Sequence, residues 1–306
     1  MDSNIALIKA IFLGTSLTLP IISFALPFDV CSDLSTCQVK ANQGNAEAQY
    51  NIGAMYSHGL NGVSKDPALA LSWYTKSAEQ GNVSAMMGIG DLYYFGSGVP
   101  KDLTQAFNWY QKAANVGSAK GQEYVAYAYE KGEGATQDYS KAFEWYGKSA
   151  NLGNQASMIA LGNLYYNGQG TSKDFVQALK WYQQAADLGS AIGQDLVGYA
   201  YEHGEGTKQD YAQALNWYLK AAQSGNGYAL YNIGRLYQNG FGLAKNNLQA
   251  YAWFAAAEQS APSNLSFQKA KNEVYSLIPA DKKQEAQDLA QTYIAKYVKP
   301  NEAIIP

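Results

Sequence analysis

Few residues in this 306-residue chain have the type and spacing to do chemistry. Cys31 and Cys37 are its only cysteines. In an oxidising compartment their spacing suits a small disulfide loop and not a redox pair, which wants Cys-x-x-Cys. His58 and His203 fall at equivalent turn-adjacent places far apart in the chain, which argues against a shared metal or a catalytic base. Ser266-x-x-Lys269 has the spacing of an acyl-enzyme nucleophile and its lysine, but neither Lys-Thr-Gly nor Ser-Asp-Asn accompanies it. Gly147-Lys148-Ser149 echoes the end of a phosphate loop, yet Ala142 stands where that loop needs its first glycine. Five Gly-x-Gly turns, such as Gly168-Gln169-Gly170, lack both a preceding strand and the third glycine of a dinucleotide loop. No Ser/His/Asp or Cys/His set can be assembled. The expectation is a protein without catalytic residues, metal or cofactor.

Composition narrows the field further. With 47% hydrophobic and 15% charged residues the chain is no disordered polymer. Lys and Arg number 22 against 25 Asp and Glu, so nothing marks a nucleic-acid partner. Asp2 and Lys9 are the only charges before Asp29. The apolar run that follows Lys9 ends in Ser23-Phe24-Ala25, the pattern of a secretory signal over residues 1–25, cleaved after Ala25. An uncleaved anchor is the alternative, against which Pro20 and Pro27 speak. Export places the protein in a bacterial periplasm or outside the cell, or in the secretory lumen of a eukaryote. No membrane span is expected after cleavage.

What must position any working residue is a repeat. Trp73, Trp109, Trp145, Trp181, Trp217 and Trp253 are each 36 residues from the next. Ala stands three residues before every one of them, and Tyr56, Tyr93, Tyr129, Tyr165, Tyr201 and Tyr237 form a second aromatic series. Asn45, Asn82, Ser118, Asn154, Ser190 and Asn226 are good caps for a first helix. Asp66, Asp102, Asp138, Asp174, Asp210 and Asn246 cap a second, and Pro67 suits its first turn. Glycine ends both helices. Gly53, Gly90, Ala126, Gly162, Gly198 and Gly234 imply close helix contact, with the Trp and the aromatic after it filling the space between neighbouring pairs. A longer alternation is present too: residues 118–150 match 190–222 at 20 of 33 positions. Units of this length stack, because none buries its faces alone.

The pattern Ala-x₅-Gly-x₂-Tyr-x₂-Gly-x-Gly, then Asp-x₃-Ala-x₂-Trp-Tyr-x₃-Ala, runs from Ala156 through Tyr182 and beyond. It resembles the Sel1-like repeats, relatives of the tetratricopeptide repeats. The resemblance implies an all-α fold: an α-solenoid of six ~36-residue helix-turn-helix units. The expected divisions are a signal at 1–25, a segment at 26–43 holding the Cys31–Cys37 disulfide, repeats over 44–260, and capping helices over 261–306. It also implies a non-enzymatic scaffold of the cell envelope or secreted space, with the first helices lining a concave groove.

Positions that vary between repeats along one face of the first helix are the candidate partner contacts. They are Asn51, Asp91, Tyr124, Tyr127, Asn163, Tyr199, Asn232 and Arg235. Tyrosines amid mixed polar groups suit a peptide or protein domain. A glycan is the other ligand that such an aromatic face would take, and a β-lactamase-like enzyme is the more distant alternative.

Overall fold

The computed structural model describes residues 31–298, and the signal expected at 1–25 lies outside them. The described residues are all-helical. The described residues form two compact units, divided between residues 102 and 103, and the division falls between the two helices of the second repeat.

The first unit contains α1 (Leu34–Asn42), α2 (Ala46–His58), α3 (Pro67–Glu79) and α4 (Val83–Phe95). Cys31 and Cys37 are bonded across α1's first turn with their Cα atoms 5.1 Å apart, and both are buried. Asn61 Nδ2 donates to Ser32 O at 2.9 Å and Asn51 Nδ2 reaches Cys31 Sγ at 3.7 Å. Together these tie the disulfide loop to the first hairpin.

The second unit contains α5 (Leu103–Asn115), α6 (Ala119–Lys131), α7 (Tyr139–Asn151), α8 (Gln155–Asn167), α9 (Phe175–Asp187), α10 (Ala191–His203), α11 (Tyr211–Gln223), α12 (Gly227–Asn239) and α13 (Asn247–Ser260). Its C-terminal end carries α14 (Leu265–Ser276), a 3₁₀ turn (Ala280–Lys282) and α15 (Lys283–Tyr297). Neighbouring helices pack in chain order from α5 to α14, and α15 returns to lie on α13. The caps sit where the sequence places them. Asn154, Ser190 and Asn226 accept from backbone N–H groups of α8, α10 and α12, and Asp138, Asp174 and Asp210 do so for α7, α9 and α11.

Close contact explains the small residues. A Cβ on Gly198 or Gly234 would stand 2.7 Å from the ring of Tyr218 or Phe254, and one on Gly162 would overlap Tyr182. Each glycine costs its helix ~1 kcal/mol relative to alanine. Sealing an aromatic ring against it contributes about 2 to 3 kcal/mol, so packing wins. Tyr146, Tyr182, Tyr218 and Phe254 are accordingly buried. The tryptophans before them depart from the expectation. Trp109, Trp145 and Trp217 stay half-buried, each under the ammonium of the lysine one turn on, at 3.6 to 3.8 Å from the ring centre. Only at the end of the array does a tryptophan go inside: Trp253 is covered by Tyr293 and Tyr297 of α15.

The Gly-x-Gly turns are structural joints. The second glycine of each abuts the previous repeat's second helix: a Cβ on Gly206 would overlap the Phe175 carbonyl, and Gly206 has φ +77°. Gly189 has φ +88° with open space where its Cβ would go. Gly189→Ala should therefore cost only the ~1–2 kcal/mol of a left-handed backbone. Gly206→Ala should cost distinctly more, because the overlap adds to the same backbone term. Chemical denaturation of the two variants checks the ranking.

Candidate partner-binding face

The residues with chemical potential are mostly engaged within their own helix or hairpin, or lie exposed. His58 and His203 each turn a ring nitrogen onto a carbonyl of their own helix, at 3.1 and 3.0 Å. Ser149 donates to Ala119 O at 2.7 Å and is buried. Ser266 and Lys269 are exposed on α14, and Lys269 reaches Glu273 instead.

Three candidate partner contacts are not surface groups. Asn51 is fully buried beside the disulfide. Asn163 is buried and accepts the Tyr182 hydroxyl at 2.7 Å. Asn232 is buried and donates to Asp195 at 3.1 Å. The reason is geometric. A first helix packs against its own hairpin partner and against both adjacent repeats, so the face open to a ligand is narrower than helical spacing alone suggests. Asn163→Ala should consequently lower stability by about 1 to 2 kcal/mol, since it removes a buried acceptor and strands the Tyr182 hydroxyl. A thermal melt checks this, and an unchanged melting point would return Asn163 to the surface.

Arg235 is also committed. Its guanidinium pairs with Glu202 at 3.0 Å and donates to Asn232 at 3.2 Å. The buried Glu202 accepts the Tyr218 hydroxyl at 2.7 Å as well. Asp195, Glu202, Asn232, Arg235 and Tyr218 thus form one polar network joining α10, α11 and α12. Burial, followed by the Glu202 charge, raises the Tyr218 hydroxyl well above its ordinary value. Burial also raises the Asp195 carboxyl to about 7, against the opposing pull of the Asn232 amide. Repeat three has the same contact in simpler form: Tyr146 donates to Glu130 at 2.7 Å.

Asp195 and Glu202 escaped the sequence reading, although a signal existed. Glutamate follows the lattice tyrosine in repeats three and five, as Glu130 and Glu202, and each meets the second-helix tyrosine of its own repeat.

The remaining candidates are half-buried. Asp91 lies on α4, and its charge acts on Tyr50, whose hydroxyl burial pushes up to about 12 with Glu47 and Asp91 adding to it. Tyr199 stacks on His203 with ring centres 4.0 Å apart. Tyr124 meets Tyr110 edge-on at 4.7 Å and lies under Lys120 at 4.8 Å. Lys131 stands 5.7 Å from the Tyr127 ring centre. Lys120 pairs with Glu123 at 3.1 Å and Lys131 with Glu130 at 2.6 Å, so Tyr124 and Tyr127 make an aromatic strip along α6 flanked by charge-balanced lysines. Among the described residues no group of side chains could hold a metal ion, and no helix is long and apolar enough to cross a membrane.

Hairpins of about 36 residues, stacked through small-residue contacts and joined by polar bonds, define a helical-repeat protein. The Sel1 repeat model matches residues 46–82, 83–118, 119–154, 155–190, 191–226 and 227–260, and the chain belongs to the Sel1 repeat family. Proteins built from this repeat generally act as protein-interaction scaffolds and are typically not enzymes. A Sel1 repeat protein of solved structure from Oxalobacter formigenes is 32% identical, with 74% of this chain and 92% of that one covered and a TM-score of 0.69. Among curated relatives, the ERAD-associated E3 ubiquitin-protein ligase component HRD3A of Arabidopsis thaliana is 36% identical over 66 residues, which are 22% of this chain. Chitin synthase regulatory factor 3 of Schizosaccharomyces pombe is 41% identical over 54 residues, which are 18% of this chain. The matches span 10% and 6% of those two proteins.

Proposed function

We propose that this chain is an exported adaptor that holds a partner peptide or protein domain on the first-helix face of its second unit. The observation that carries the reading is a division of labour. The charged side chains deepest in that unit satisfy one another between repeats, while Tyr124, Tyr127, Lys120 and Lys131 keep accessible surface on α6. Half-exposed tyrosines among paired lysines and glutamates have the composition of a protein-binding surface. Export, to a periplasm, the extracellular space or a secretory lumen, is supported by the signal pattern of residues 1–25 and by the fit of the Cys31–Cys37 disulfide to an oxidising compartment.

The test is a pair of variants, Tyr127→Ala and Tyr124→Ala, in partner capture from the native compartment. Capture should fall about tenfold or more, as for a contact at the centre of an interface. Lost stability with unchanged capture would assign both rings to packing. Capture that soluble sugars abolish and peptides do not would move the reading to a glycan.

A further inference from the structure

Exposed aliphatic side chains of the second unit fall into a row. Val116, Leu152 and Leu188 hold one repeat position, 36 residues apart, and each is more than half exposed. Each stands between the last residue of a second helix and the glycine of the joint. The same position is Gln80 before the row and Ser224 after it, so the apolar stretch is bounded. At Ser224 the end of α15 arrives instead, its Tyr297 carbonyl 3.6 Å from where a Gly225 Cβ would stand. First helices begin on this same edge. There Ile192, on the first turn of α10, is 44% exposed and Leu265, opening α14, is 75% exposed. The other exposed large apolar groups described in the unit, Val176, Phe241 and Leu277, share no repeat position. Bonds between repeats hold the edge in line: Gln155 on α8 donates to Leu188 O at 2.8 Å, and Asn226 donates to Ala191 O at 3.2 Å. A single exposed leucine needs no explanation, but a bounded row does.

Positive charge lies one turn behind the tips. Lys112 and Lys148 precede Val116 and Leu152 by four residues, about 6 Å along a helix, and Lys220 holds that place before Ser224. All three lysines are exposed, rest over Trp109, Trp145 and Trp217, and pair with no carboxylate among the described residues. Lys120 nearby is balanced by Glu123, and Asp187 is the acidic group beside a tip. The edge is therefore cationic in a chain whose formal net charge is −3. Two copies meeting through Leu152 would set Lys148 against Lys148, an opposition of like charge. An anionic lipid surface takes both layers. Aliphatic tips enter the boundary between headgroups and acyl chains, while lysines reach back to the phosphates.

We propose that this edge of the second unit seats the protein peripherally on an anionic lipid surface, with Val116, Leu152 and Leu188 inserted and Lys112, Lys148 and Lys220 at the phosphates. Tyr127, towards the far end of α6, takes no part in it. Lipid and partner are held at different places.

The experiment is co-sedimentation with vesicles of phosphatidylglycerol and phosphatidylcholine in equal parts, and with phosphatidylcholine alone. The mature chain, beginning after Ala25, keeps the apolar run ahead of it out of the measurement. Anionic vesicles should bind at least tenfold more tightly than neutral ones, and added salt should weaken the binding. Leu152→Asp with Leu188→Asp should lower affinity for anionic vesicles at least tenfold. Lys112→Gln, Lys148→Gln and Lys220→Gln together should remove the preference for anionic lipid. Val176→Asp and Tyr127→Ala should bind as the unsubstituted chain does. The replaced tips and lysines are exposed, so melting points should hardly move. No binding of the unsubstituted chain to anionic vesicles overturns the proposal, as does a leucine-pair variant that binds undiminished. A dimer that the leucine pair abolishes, with vesicle binding absent, would give the edge to a second copy and overturn it as well.

Discussion

Asp195→Asn should make the protein more stable above neutral pH and leave it nearly unchanged below pH 4. Asp195 is buried, and the groups around it are Glu202 on its own helix, Asn232, Arg235 and Tyr228 on α12, and Tyr218 on α11. Burial is the main cause of its carboxyl rising from 3.8 to about 7; the Asn232 amide opposes it and the Glu202 charge adds to it. The sign follows from proton counting. Between those two values the folded chain holds a proton that the unfolded chain has released. The stability this group contributes is therefore complete below about pH 4 and is lost as pH rises through 7. Across that interval, at ~1.4 kcal/mol per pH unit, the loss is on the order of 4 kcal/mol. An asparagine keeps the acceptor for Asn232 and never ionises. Melting points of the two proteins should coincide at acid pH, separate between about pH 4 and 7, and stay apart above that, with the variant higher. Parallel curves would show that Asp195 keeps its charge in the fold.

Arg235→Met should produce a large loss at pH 8. It leaves Glu202, which is 3% exposed, with only the Tyr218 hydroxyl to offset its charge. Removing one partner of a buried pair typically costs about 3 to 5 kcal/mol, far more than the ~0–1 kcal/mol of a surface pair. Arg235 keeps a fifth of its side-chain surface, so the lower end of that range is the expectation. Replacing both partners, as Glu202→Gln with Arg235→Met, should recover most of the loss, because no charge is then stranded. Hydrogen exchange should locate the damage in α10, α11 and α12, since repeat arrays lose stability locally. A uniform loss across the unit, or none, would deny the network its role as a joint.

These residues also show what one chain can disclose before its fold is known. Asn226 and Asp174 declared their helices because a cap needs only a polar side chain next to free backbone N–H groups, a relation spanning three residues. Gly198 declared a close contact because nothing else explains glycine at a helix interior. Its partner Tyr218 lies on the following helix, close enough in sequence to be proposed. Arg235 with Glu202, Asn232 with Asp195, and Tyr166 with Glu205 are separated by 33, 37 and 39 residues. Each bond joins consecutive repeats, and its existence depends on how one hairpin is rotated against the next. Periodicity shows that hairpins stack and is silent about that rotation. This is why Asn232 looked like a surface residue. The aromatic strip on α6 was legible, because the side chains there differ from one repeat to the next.

Site-specific photocrosslinking examines the adaptor reading most directly. A benzophenone side chain would replace Lys120 or Lys131 on α6, and Glu144 or Lys180 on the exposed faces of α7 and α9. If the first helices are the working face, one partner should crosslink from positions 120 and 131, and 144 and 180 should stay silent. Equal crosslinking from all four positions, or crosslinks from 144 and 180 alone, would contradict it.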